Sequence, residues 1–115
     1  MPHCIVDYSA DVATQVDLEQ LLEAVHLGAM DSGLFPEYDI KTRAQAFELH
    51  RTGQTRDSFV HVAVHLLSGR SDEQKAELAE AVLARIEPLL PNVVSVSVEI
   101  CDMHRESYRK RVLGS

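Results

Sequence analysis

The chain has 115 residues, 45% of them hydrophobic and 25% charged, with a net charge of −7 at pH 7. This is the length and composition of one soluble globular domain. The acidic balance argues against nucleic acid, whose phosphates repel such a surface unless the cations gather on one face, and the one cluster, Arg105, Arg109, Lys110 and Arg111, reads as a solvated end.

No apolar run approaches the ~20 residues that cross a bilayer and no basic-then-apolar leader opens the chain. The expectation is a cytoplasmic protein without membrane contact. Cys4 and Cys101 sit in the first and last apolar runs without pairing or metal spacing, so both are expected as free thiols.

The opening residues, Met1-Pro2-His3-Cys4-Ile5-Val6-Asp7-Tyr8, carry the first candidate for chemistry. A small second residue favours removal of the initiator methionine. Pro2 would then carry a free secondary amine at the start of a strand, its direction fixed by the ring. An α-amino group titrates near ~7.7–8.0, and burial or a neighbouring cation lowers that value towards neutrality, where a proton-transfer base works best. With Met1 in place the Pro2 nitrogen is an amide and cannot act as a base. Proline at position two is also what methionine processing alone leaves, with no role in catalysis.

From His3 to Tyr8 the alternation of Cys4, Val6 and Tyr8 against His3, Ile5 and Asp7 predicts a strand. Asp17 and Gln20 resemble a capping box, and Leu18, Leu21, Leu22, Val25 and Ala29 recur at helical spacing, with Gly33 as C-cap and Pro36 as stop. Ile40 to Phe47 can alternate as an edge or connecting strand, which places Lys41 and Arg43 on one side. Gly53 marks a turn, and Ser58 to Leu67 is a strand with Val60, Val62, Val64 and Leu66 opposite Phe59, His61, Ala63, His65 and Leu67.

Ser68-Gly69-Arg70 turns into a second helix capped by Ser71 and Gln74, with Ala79, Val82, Leu83 and Ile86 as its stripe and Pro88 and Pro91 as its close. Val94, Val96, Val98 and Ile100 form one face of a last strand. Asp102 to Ser115 is expected as a short helical turn or an arm.

The order strand, helix, strand occurs twice, as pseudo-repeats over about 2–50 and 58–101 followed by the arm 102–115. Each unit is expected to be a right-handed β-α-β crossover. The fold class is therefore α/β (α+β), two duplicated β-α-β units in a four-stranded mixed sheet with both helices on one face. The other face needs cover, which predicts an oligomer.

Six histidines raise the question of a metal. On a strand His61 and His65 stand ~13 Å apart at ~3.3 Å per residue, too far for one ion, so no metal site is expected. No strained glycine turn around a serine and no glycine-rich phosphate loop occurs. The Ser68-Gly69-Arg70-Ser71 turn could hold an anion on its amides and Arg70, although plain helix capping explains the same residues. With Pro2 they gain meaning: Lys41, Arg43 and Arg70 could draw a polyanionic small substrate, keep the Pro2 amine neutral and stabilise an enolate. A solvated face explains the three cations equally well.

Met1 to Ser9, Gly33-Leu34-Phe35-Pro36, Ile40-Lys41-Thr42-Arg43-Ala44, Phe59-Val60-His61-Val62 and Gly69-Arg70-Ser71 together resemble the 5-carboxymethyl-2-hydroxymuconate isomerase family of the tautomerase superfamily. The resemblance covers Pro2 to about Glu99, and the tail past Cys101 matches poorly. It implies a single tautomerase-like domain over 1–115, a homotrimer and no cofactor. It also implies an unsaturated 2-hydroxy or 2-oxo polycarboxylate substrate from aromatic catabolism, such as homoprotocatechuate degradation. Pro2 would move a proton between the 2-hydroxyl and carbon, and Arg70, Lys41 and Arg43 would bind substrate. The family has arginine at both positions matching Lys41 and Arg43; Lys41 keeps the charge and loses the two-pronged grip. The loop around Gly53 is shorter here and lacks the family's tryptophans. The same site could instead serve decarboxylation or hydration of a related acid, and a non-catalytic trimeric binding protein with an incidental Pro2 is the alternative outside enzymology.

Overall fold

A computed structural model describes residues 1–114. Six main elements follow one another: β1 (His3–Ser9), α1 (Leu18–Asp31), β2 (Lys41–Phe47), β3 (Phe59–Leu67), α2 (Asp72–Ile86) and β4 (Ser95–Met103). They build one four-stranded sheet in the order β2-β1-β3-β4. β1 runs parallel to β2 and β3 parallel to β4, each pair joined through its helix, while β1 and β3 meet antiparallel at the centre. The sheet is mixed, as expected, with β2 on one edge.

Alternation sorts the side chains. Cys4, Val6, Val60, Val62, Val64 and Leu66 are buried beneath the helices, which contribute Leu21, Val25 and Ala29 from α1 and Leu78, Val82 and Ile86 from α2. Each such aliphatic side chain is worth about 1.5–3 kcal/mol when removed from water, so this face holds the fold together. The stripe of α2 buries Val82 and Ile86 as expected and adds Leu78, while Ala79 and Leu83 are half-buried at its margin. Val94, placed on the last strand from its sequence, precedes β4 and is exposed.

The helix ends follow local chemistry. Ser71 and Gln74 form the reciprocal capping box of α2. At α1 the box is incomplete: the Asp17 carboxylate accepts from the Glu19 N–H at 2.9 Å, and Gln20 returns nothing to the cap. Gly33, at φ +71°, ends α1 through its N–H to the Met30 carbonyl, a conformation that suits a residue without Cβ. β4 runs to Met103, two residues into the stretch expected as an arm; one helical turn follows at Arg105–Ser107, and residues 108–114 have no regular secondary structure. No helix among the described residues is long and apolar enough to cross a membrane.

Candidate active site

The strand directions decide what meets at the sheet's end. β1 and β2 start there and β3 and β4 finish there, because His3 pairs with both Lys41 and His65, and Leu67 pairs with Met103. The chain's amino terminus, the turn that carries Arg70 and the start of the C-terminal arm are thereby brought together. Between them lies a cavity of about 190 Å³. Its apolar wall is Leu34, Phe35, Pro36, Leu66 and Leu67; its polar groups belong to Met1, Asp39, Arg70 and Arg105.

Pro2 is fully buried directly behind Met1, and its carbonyl accepts the Lys41 N–H at 3.0 Å, which locks the first residues to β2. Met1 is 7% exposed and lines the cavity. Its amine donates to the Asp39 carbonyl at 2.7 Å and lies 3.1 Å from the Asp39 carboxylate. Burial, then the Lys41 ammonium, hold this amine below its ordinary pKa, with Asp39 pulling the other way.

Asp39 is the hub of the polar side. Besides the terminal amine, its Oδ1 accepts from Lys110 Nζ at 2.7 Å and lies 3.7 Å from Lys41 Nζ, which also donates to the Asp39 carbonyl at 2.8 Å. The Lys110 hydrogen bond above all, then the terminal amine, hold the carboxyl at about 2 against the opposing effect of burial.

Arg70 enters the cavity from a turn whose Gly69 sits at φ +123°, open to glycine and strained for other residues. Its Nη2 donates to the Leu34 carbonyl at 2.9 Å, and the guanidinium carbon stands 5.9 Å from the Phe35 ring centre. Lys41 and Arg43 share one side of β2, and only Lys41 is tied to the cavity, through Asp39. Arg43 lies on the sheet's open face, its Nη1 3.4 Å from His3 Nδ1. The other His3 nitrogen meets the Tyr108 hydroxyl at 3.2 Å. Burial, then Arg43 and Lys41, depress the His3 pKa and favour its neutral ring.

Sequence reasoning passes over two polar residues of this site. Asp39 carries a local sign, a carboxylate two residues ahead of Lys41. Arg105, which reads in the sequence as part of a solvated end, donates from Nε and Nη2 to the Ser68 carbonyl at 3.0 and 2.8 Å and lines the cavity. His61 is engaged on the open face by Ser97 and Glu99, and among the described residues no three metal-ligating side chains converge.

The family model for 5-carboxymethyl-2-hydroxymuconate isomerase matches residues 2–111. The chain is 26% identical over 111 residues to the 5-carboxymethyl-2-hydroxymuconate Delta-isomerase of Escherichia coli, covering 90% of this chain and 88% of that protein. Its fold is similar to a crystal structure of a 5-carboxymethyl-2-hydroxymuconate isomerase from Deinococcus radiodurans R1, with a TM-score of 0.83, 22% identity, and 96% and 88% of the two chains covered. A fused 4-OT, described as a symmetric trimer, aligns with a TM-score of 0.75 and 20% identity over 89% of this chain and 85% of its own. The chain thus belongs to the 5-carboxymethyl-2-hydroxymuconate isomerase family, isomerases on the tautomerase-superfamily fold.

Proposed function

We propose that the chain is a cofactor-independent keto–enol isomerase in which Pro2, freed by removal of Met1, is the general acid and base. One observation carries the reading: the amino terminus occupies the same cavity as Arg70. Loss of Met1 leaves the Pro2 secondary amine at the edge of the space that the methionine fills. Burial and then Lys41 depress the Met1 amine against the pull of Asp39, and a Pro2 amine exposed beside the same groups is expected to move in the same direction, which favours an unprotonated base near neutral pH.

The substrate is an unsaturated 2-hydroxy polycarboxylate of the 5-carboxymethyl-2-hydroxymuconate type, as arises in aromatic catabolism. Pro2 nitrogen takes the proton of the 2-hydroxyl; the oxygen's electrons form the 2-oxo group, the double bond shifts, and the same proton returns from nitrogen to the remote carbon. Arg70 holds a carboxylate against the Phe35 wall. Lys41, held beside the terminus by its bond to the Asp39 carbonyl, opposes protonation there. Arg43, on the open face, serves substrate from across a subunit boundary, so a homotrimer is part of the reading.

Intact-mass measurement and proton NMR in deuterated water test it together. The expected results are a chain lacking Met1, deuterium incorporated at carbon without loss of carbon dioxide, and a fall of about 10²–10⁴-fold in turnover for Pro2→Ala. Full activity in Pro2→Ala sinks the mechanism, and so does full activity in protein that retains Met1.

A further inference from the structure

We propose that Arg105 is a second carboxylate-binding residue of this site, so that the C-terminal arm completes the pocket and selects substrates with two carboxylates. The inference rests on the isomerase reading for its substrate class and on the cavity for its geometry.

Arg70 and Arg105 line the same cavity and are fixed by the same turn. Gly69 directs Arg70 inward, while the carbonyl just before it, on Ser68, receives both Nε and Nη2 of Arg105. One edge of the Arg105 fork is thus consumed in positioning, and its Nη1 has no hydrogen bond among the described residues. A guanidinium held in this way gives up little conformational freedom when it grips an anion.

In a chain of net charge −7, neither arginine has a carboxylate within ion-pair distance among the described residues. The only carboxylate lining the cavity among those residues, Asp39, is already shared by the terminal amine, Lys41 and Lys110. Two arginines, Arg70 half-buried and Arg105 exposed, therefore line an apolar-walled space without a carboxylate partner among the described residues. An acyclic acid with a carboxylate at each end and an apolar chain between them fits that arrangement; a monocarboxylate leaves one arginine unpaired.

Adipate and hexanoate, alike in length and different by one carboxylate, are suitable probes for calorimetric titration of the mature protein. Adipate is expected to bind more tightly than hexanoate. Arg105→Gln should cut adipate affinity about ten- to hundred-fold while leaving hexanoate within about twofold, and Arg70→Gln should weaken both. Arg105→Lys should restore part of the loss. Because Arg105 also anchors the arm, Tyr108→Phe serves as the control: it loosens the arm at His3 without touching the cavity and should leave adipate binding unchanged. The inference is overturned if the unsubstituted protein shows no adipate preference, if Arg105→Gln leaves adipate binding intact or weakens both probes equally, or if Tyr108→Phe reproduces the loss. An inactive protein that keeps its Arg105-dependent adipate preference loses the Pro2 mechanism alone. An active isomerase whose adipate affinity ignores Arg105 loses only the present proposal.

Discussion

Asp39 holds together three parts of the chain that are far apart in sequence: the amino terminus, Lys41 at the head of β2 and Lys110 in the arm. Its carboxyl, held at about 2 chiefly by Lys110, titrates below the unfolded value of ~3.9. A depressed carboxylate contributes stability that is complete above the unfolded value and disappears as the pH falls towards the folded one. The wild-type chain should therefore lose an increment of stability between about pH 4 and pH 2 on this account, and Lys110→Gln should lose less of it. The pair is partly open to solvent, which keeps the difference small. Urea unfolding at pH 5 and at pH 2.5 checks this, and equal acid losses in both proteins would show that Lys110 does not set the titration of Asp39. The sequence shows the charges but not their pairing: Lys110 and Asp39 become neighbours only through the sheet register and the path of the arm.

At the level of elements, alternation reveals β1, β3 and β4 because their two faces differ in chemistry. One side carries Cys4, Val6, Val62 and Val98; the other carries His3, Asp7, His61 and Glu99. β2 is harder to read, since as an edge strand of Lys41, Thr42, Arg43, Ala44 and Gln45 it has little buried surface to pattern. Arg105 lies beyond any local signal, because its place depends on β4 ending beside Leu67. The helix–helix contact is equally invisible in a periodicity plot and rests on Gly28. A Cβ there would lie 2.6 Å from Val82 Cα and 3.1 Å from the Ala81 carbonyl oxygen, both backbone atoms that cannot swing aside. Gly28→Ala gains up to ~1 kcal/mol of helix propensity, but overpacking at about 1–3 kcal/mol outweighs it. A lower urea midpoint is expected, and an unchanged or higher one would mean that the helices part without cost. The consequence reaches the site, for α1 leads into the Leu34–Pro36 wall and α2 starts just after Arg70.

For the whole molecule, helices cover one face of the sheet and leave the other open, with Ile5, Ala63 and the histidines His3, His61 and His65 across its centre. Large apolar side chains remain exposed at Phe47 and Leu49 after β2 and at Val112 and Leu113 on the arm. Such surface is what subunit contacts remove from water, and Arg43 lies on the same face as Ala63. Ala63 stands between Ile5 on β1 and Glu99 on β4. In an isolated chain, an arginine at this position can extend into solvent and pair with Glu99, so the fold should survive Ala63→Arg. In a trimer that packs its open faces together, the same side chain adds bulk and an ion that must be desolvated, which costs several kcal/mol. Sedimentation should therefore show an assembly of three 12.8 kDa chains for the unsubstituted protein and a monomer with unchanged far-ultraviolet circular dichroism for Ala63→Arg. If Arg43 reaches substrate only across a subunit boundary, activity should fall with the assembly. A trimer unaffected by Ala63→Arg would place the contact elsewhere, and a monomeric variant with full turnover would confine catalysis to the cavity of a single chain.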